Sequence, residues 1–285
     1  MGKYRLDSST IMFGVFGDPI RHSKSPIMLN RAFEVAGINA AYAAFHIQPG
    51  KLKAAVDAVR ALHFRGVNVT IPHKVEVMDY LDEIDEGARA IGAVNTIVNE
   101  NGRLIGHNTD GIGYVRSLKE ETGIELGGKK VLMIGAGGAA RGVGYALAKE
   151  GVAHIYFANR TREKAEELAQ TMAGFTGATG LGLTDVAEVA AEAALIVNNT
   201  SLGMHPNVGE VPMDTSLVRD TMVISDLIYN PLVTRFLRES EARGATIHSG
   251  LGMFIYQGAY AFEYWTGAPA PTAAMRDVVL ASFNG

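Results

Sequence analysis

The segment Gly135-Ala136-Gly137-Gly138-Ala139-Ala140 constrains this chain more than any other stretch. It comes after the apolar run VLMI and precedes RGVGYALAKEG, which reads as a helix. Strand, glycine turn and helix in that order form the opening of a dinucleotide-binding unit. Gly135 permits the tight turn, and Gly137 lets the backbone approach a pyrophosphate with no side chain in the way. The small Ala140 lets helix and strand pack closely. Ala136, Gly138 and Ala139 fill out the turn, and the helix start offers free N–H groups and a positive dipole end to phosphates. The same string also serves as a plain packing turn, so its meaning depends on the next strand.

That strand is HIYFANR. In a nucleotide-binding sheet an acid at its end would hold the ribose 2′-hydroxyl; here the chain carries Asn159-Arg160-Thr161 and no acid. An acid would repel a 2′-phosphate, whereas arginine pairs with one bidentately. The expected cofactor is therefore NADP, with Asn159, Arg160 and Thr161 around the phosphate. Lys164 and Arg162 stand close by in sequence as further basic contacts. Later strand ends should line the same crevice, which brings in Thr200 and Gly250 on the cofactor side.

Apolar runs alternate with helix-period segments along all 285 residues, which predicts an α/β chain with mostly parallel sheets. The expected architecture is an N-terminal α/β substrate domain plus a Rossmann-like NADP-binding domain, with a cleft between them. The expected boundaries are 1–111 with 250–285 for the substrate and catalytic domain, and 112–249 for the nucleotide domain. In the first half IMFGVFG, AAYAAFHI and GVNVT read as strands. Ser25-Pro26 opens a helix, with Ser25 at its cap, that stops at Gly37. KLKAAVDAVRALH and PHKVEVMDYLDEI read as helices, and AVNTIVNENGRLIGHN as a hairpin turning at Asn101-Gly102. Residues 111–127 carry helix period up to a break at Gly127-Gly128. Five strand candidates come after it: KVLMIG, HIYFANR, ALIVNNTS, MVISDLIY and ATIHSG. A helix-rich segment begins near Met253.

Composition removes several function classes. There is no cysteine, so disulfides, thiolate metal sites and a cysteine nucleophile are excluded. A formal net charge of −4 without blocks of like charge argues against nucleic acid and anionic membranes as partners. The start of the chain lacks the apolar run of a signal peptide, and no apolar stretch reaches bilayer length, so a cytoplasmic location is expected. The eight histidines show no metal-ligand spacing, and no metal is expected.

Four polar motifs mark the first half: HSKSP at 22–26, NVTIPHK at 68–74, GAVNT at 92–96 and HNTDG at 107–111. Together with GAGGAA, NRT, NNTSLGM, DLIYNP and GLGMFIYQGAYAFEYWTG, in this order and spacing, they give a chain that resembles the shikimate dehydrogenase family over nearly its whole length. The resemblance implies NADP-dependent interconversion of 3-dehydroshikimate and shikimate, a step toward aromatic amino acids. It implies that Ser23 and Ser25 bind the substrate carboxylate with help from Tyr229, and that Thr70, Asn95 and Gln257 hold ring hydroxyls. Two hydroxyls beside a helix start make chemical sense as an anion site; Ser25 could equally be a plain cap. Ser23 has no such structural alternative in the sequence.

Lys74 and Asp110 resemble the family's catalytic pair. Moving a hydride to or from a carbinol carbon requires a proton at its oxygen, which a lysine can exchange. A neighbouring carboxylate would raise the lysine pKa, so Asp110 either takes part in proton transfer or orients Lys74 and a substrate hydroxyl. The chain departs from the common pattern at Leu29, where many relatives carry histidine; this is expected to affect packing. His73 is assigned no role. The alternatives that remain are a quinate/shikimate dehydrogenase of broader specificity, a non-catalytic sensor of NADP and a small carboxylate, and another two-domain NADP enzyme. A homodimer is left open.

Overall fold

The alternating runs form two six-stranded sheets in the computed structural model, which describes residues 6–283. The parts of the expected substrate domain at 1–5 and 284–285 lie outside the described residues. The chain divides into two units, Met1–Thr109 with Ile255–Gly285, and Asp110–Phe254.

The first unit opens with β1 (Ile11–Gly17), α1 (Ser25–Ala36), β2 (Ala40–His46), α2 (Leu52–Ala61) and β3 (Gly66–Val69). It continues with β4 (Glu83–Ile84), α3 (Glu86–Ile91), β5 (Thr96–Glu100) and β6 (Arg103–His107). The strand order is β2-β1-β3-β5-β6-β4. β1 runs parallel to β2 and β3, while β5 runs antiparallel to both β3 and β6. The hairpin turns at Asn101-Gly102, both with positive φ, as a two-residue turn requires. On α1 the buried residues Met28, Leu29, Ala32 and Phe33 form one stripe, so Leu29 serves the core. One sheet face closes over α2 through Leu52, Val56 and Val59.

The helix expected over 72–84 does not form. A short 3₁₀ turn covers Glu76–Tyr80, and the chain then pairs as β4 with β6. Asp82 explains the difference: its amide donates to Leu104 O, its carboxylate accepts the Leu104 amide at 2.7 Å, and Arg60 reaches the same oxygen at 2.9 Å. Those tertiary bonds outweigh local helix period.

The second unit comprises α4 (Asp110–Thr122), β7 (Lys130–Ile134), α5 (Gly138–Lys149), β8 (His154–Asn159), α6 (Arg162–Met172) and β9 (Gly177–Gly182). After these come α7 (Val186–Ala190), β10 (Leu195–Asn198), β11 (Val223–Asp226), α8 (Arg235–Glu241) and β12 (Thr246–His248). All six strands are parallel, in the order β12-β11-β10-β7-β8-β9. This is the doubly wound order of a Rossmann-like sheet, with its switch point between β7 and β10. Glycine-rich β9 was not among the expected strands; it is an edge strand held by its pairing with β8.

The long helix α9 (Gly250–Thr266) and α10 (Thr272–Ala281) complete the chain. The divide between units falls inside α9 and just before α4. The expected boundaries at 111/112 and 249/250 therefore move outward. A Cβ on Gly111 would stand 2.2 Å from Gly142 O on α5, and one on Gly252 would stand 1.8 Å from Ser117 Oγ on α4. These close approaches hold both stretches to helices of the second unit. In the first unit α10 packs on α1, and Trp265 of α9 lies over Gly66, its Nε1 donating to Ile97 O at 2.9 Å. Phe13, Phe33, Phe262 and Trp265 form an aromatic core there. Among the described residues no helix is long and apolar enough to cross a membrane.

Candidate active site

Strand direction alone gathers most of the first-unit candidates on one edge of their sheet. β1 and β3 are parallel, so the segments leaving them, 18–25 and 70–75, emerge at the same end. β5 is antiparallel to β3, with Thr96 opposite Asn68, so Asn95 enters at that end too. Thr96 also stands opposite His107, which delivers Thr109 there. Thr70 packs so closely on the last residue of β1 that a Cβ on Gly17 would meet its methyl at 2.5 Å. The Lys74 carbonyl accepts the Val94 amide at 2.8 Å, which fixes the lysine backbone beside Asn95.

A buried polar chain ties this edge together. Tyr42 Oη donates to Asn68 Oδ1 at 2.7 Å, and Asn68 Nδ2 donates to Asn95 O and to Thr96 Oγ1. Asn95 Oδ1 accepts from Thr96 Oγ1 at 2.9 Å and from the Thr109 amide at 2.9 Å, and Asn95 Nδ2 donates to Thr109 Oγ1 at 3.0 Å. Asn95 is 3 % exposed, so its orientation is set from every side. Burial pushes the Tyr42 pKa up, against a smaller lowering by the nearby Ser25. Tyr42, Asn68 and Thr109 are supporting residues that the motif reading passed over. Asn68 and Thr109 lay inside the quoted motifs; Tyr42 sat in an alanine-rich strand and gave no signal.

The two serines exchange their expected structural roles. Helix α1 begins at Ser25 itself, with Lys24 at the cap position and no side-chain cap. It is Ser23 Oγ that accepts a helix-start amide, from Ser25, at 3.2 Å. Ser23 thus has a local structural function, and the Ser25 hydroxyl does not cap the helix. Gln257 is half-buried on α9, and a Cβ on the adjacent Gly258 would stand 2.3 Å from Met28 on the first turns of α1. His73 is fully buried and donates through Nε2 to Ile47 O at 2.6 Å, a role in holding the 70–75 loop.

In the second unit the glycine turn sits at the switch point of its sheet. Gly135 has φ +107, and a Cβ there would stand 2.9 Å from Asn199 O. Ala140 is fully buried where α5 meets the strands. Gly137 and Gly138 are different: neither has positive φ, and an added Cβ would meet nothing within 4 Å. Neither backbone conformation nor protein packing requires glycine at those two positions. No side chain caps α5 at Gly137. Ala136 is half-buried and Ala139 exposed along the same turn.

Beside the turn, Asn159 Nδ2 donates to Thr161 O at 2.9 Å, and Thr161 stands at the cap of α6 without a side-chain bond. Arg160 is exposed and pairs with no carboxylate among the described residues. Lys164 is exposed on the first turn of α6. Arg162, by contrast, closes on Asp185. Thr200 belongs to a buried network: its amide and hydroxyl both donate to Asn198 Oδ1, and Asn198 Nδ2 donates to Asp226 Oδ1 at 3.1 Å. Asp226 also accepts from the Ile228 amide and Thr234 Oγ1, yet burial pushes its pKa up to about 6. Tyr229 comes just after this anchored turn, stacks on Phe254 and has its pKa raised by burial. Gly250 is pressed against the Leu227 carbonyl, where a Cβ would come within 2.1 Å, so that glycine is explained by backbone packing.

Three family sequence models match consecutive parts of the chain. They describe a shikimate dehydrogenase substrate binding domain at residues 15–97, a shikimate / quinate 5-dehydrogenase at 117–227 and a shikimate 5′-dehydrogenase C-terminal domain at 250–280. A protein of Geobacillus sp. (strain WCH70) named shikimate dehydrogenase (NADP(+)) is 48% identical over 274 residues, covering 96% of this chain and 99% of that one. A solved shikimate dehydrogenase in complex with NADP+ is similar with a TM-score of 0.91 at 44% identity, covering 98% of this chain and 97% of that one. The shikimate 5-dehydrogenase of Thermus thermophilus, in complex with NADP(H) and shikimate, is similar with a TM-score of 0.87 at 37% identity, covering 96% of this chain and 100% of that one.

Proposed function

Because the chain belongs to the shikimate dehydrogenase family, we propose that it catalyses the reversible, NADP-dependent reduction of 3-dehydroshikimate to shikimate. The observation that carries this reading is the single sheet edge at which Thr70, Lys74 and Asn95 emerge, Asn95 fixed there by a buried polar chain and Thr70 and Lys74 by backbone bonds. The substrate is a small ring with one carboxylate and several hydroxyls, and the residues of that edge carry hydroxyl, amide and ammonium groups suited to it.

In this reading Ser23, Ser25 and Tyr229 donate to the carboxylate. Burial keeps the Tyr229 phenol protonated, as a donor must be. Thr70, Asn95 and Gln257 hold the ring hydroxyls. The Asn95 amide oxygen is already committed to the Thr109 amide and Thr96 hydroxyl, so its rotamer is set before substrate arrives. Lys74 gives a proton from Nζ to the ketone oxygen during reduction and takes it back during oxidation. Asp110, the residue after Thr109 and the first of α4, orients that exchange.

The residues of the glycine turn suit NADP. Open space over Gly137 and Gly138, an uncapped α5 and an Arg160 with no carboxylate partner among the described residues are what a pyrophosphate and a 2′-phosphate require. Asn159, Thr161, Lys164 and Thr200 would line the cofactor, with Ala136 and Ala139 on the turn and Gly250 as backbone support. When bound, NADPH supplies the hydride. The test is an assay with NADP+ and shikimate, read through nicotinamide absorbance, with quinate in parallel. Absorbance rising with shikimate and much less with quinate is the expected result; no change with shikimate would overturn the proposal.

A further inference from the structure

The end of β8 carries no acid, but the neighbouring strand brings one. Asn159 and Gly182 are opposite each other in the parallel β8–β9 pair. The residues that leave β9 therefore pass beside Asn159-Arg160-Thr161, and the first acid among them is Asp185. Its carboxylate is fixed in place. Oδ2 accepts the Gly182 amide at 3.0 Å, Oδ1 accepts Thr184 Oγ1 at 3.0 Å, and Arg162 Nη2 closes on Oδ2. The Asp185 side chain is 22% exposed, so it cannot turn away into solvent as a loose surface acid would.

We propose that Arg162 selects NADP over NAD indirectly, by neutralising Asp185, a carboxylate that β9 brings beside the 2′-phosphate position. The inference rests on the NADP reading above, in which Arg160 is the direct phosphate ligand. The Asp185 carboxylate is bonded to the amide of Gly182, which pairs with Asn159 across strands about 4.8 Å apart, so its charge sits near the end of β8, and charges act over roughly 8 Å at physiological ionic strength. Left bare, it would repel a 2′-phosphate and leave a ribose hydroxyl undisturbed. Arg162 also reaches Glu166 at 4.0 Å, so its guanidinium is turned toward acids rather than held open like that of Arg160.

The experiment compares KM for NADP+ and for NAD+ in Arg162→Ala, Arg162→Lys, Asp185→Asn, the Arg162→Ala/Asp185→Asn double variant and Arg160→Ala. Arg162→Ala should raise KM for NADP+ about three- to tenfold, the scale of a few ångströms of unscreened charge at a wet surface, and leave NAD+ within about twofold. Arg162→Lys keeps the charge and should stay near wild type. The double variant should return to within about twofold of wild type, because the carboxylate that needed neutralising is gone. If the double variant remains as weak as Arg162→Ala, Arg162 touches the phosphate itself and the inference fails. If Arg162→Ala leaves NADP+ unaffected, Asp185 has no influence and the inference fails. Arg160→Ala separates the two readings: selective loss of NADP+ upholds the phosphate site whatever Arg162 does. Equal weakening of both cofactors overturns the site and this inference with it.

Discussion

At the scale of single residues, the site combines groups fixed by their side chains, such as Asn95, with groups whose backbone is fixed, such as Lys74. Lys74 is held through its carbonyl, so truncating its side chain leaves that bond in place. Lys74→Ala should lower kcat by about two orders of magnitude or more, the scale of general acid–base catalysis. Its melting temperature should stay close to wild type. Near-normal turnover would remove Lys74 from proton transfer. The serines show where residue-level reading reaches its limit. The motif HSKSP located both, but which hydroxyl meets a helix amide depends on where α1 begins, and that shift of one residue moved the bond from Ser25 to Ser23. Asn68 was legible as part of a motif, yet its function as a bridge between Tyr42 and Asn95 arises only when three strands come together.

At the scale of elements, the glycine turn separates two reasons for glycine, and they can be told apart by experiment. Gly135→Ala places a side chain at φ +107 against Asn199 O, and should cost about 1–3 kcal/mol of stability. Gly137→Ala meets no protein atom and should change stability by no more than about 0.5 kcal/mol. It should nevertheless weaken NADP+ about tenfold or more, if the pyrophosphate lies where its methyl would be. Thermal melts with and without NADP+ read both effects; wild-type binding by Gly137→Ala would place the cofactor elsewhere. Strands with apolar runs, such as β1, β7 and β10, were legible because burial on both faces demands such runs. β9, with three glycines among its six residues, carried no such signal and forms because β8 offers it a partner. The segment at 76–84 failed the other way, with helix period present and overruled by the bonds of Asp82.

At the scale of the whole molecule, Asp226 links stability to pH. Its carboxyl is fully buried in the second unit, and burial raises its pKa to about 6 despite three donors turned toward it. In the unfolded chain the same group ionises near pH 4. Between those values the native state retains a proton that the unfolded state has lost. The stabilisation is complete below about pH 4 and is lost as pH rises through the folded value. Asp226→Asn cannot titrate. Wild type should therefore lose stability relative to this variant between about pH 4 and 6, by up to about 3 kcal/mol for a two-unit shift. A difference in melting temperature that stays flat across that range would contradict the assignment.

Trp265 carries one more consequence. It is the single tryptophan of the chain, and it fills the space over Gly66 in the first unit although it arrives after the entire second unit has been made. The second unit is one continuous stretch, whereas the first is completed only by the segment from Ile255 onward. Indole emission in a refolding experiment then reports on the first unit, timing the moment its C-terminal segment docks over Gly66.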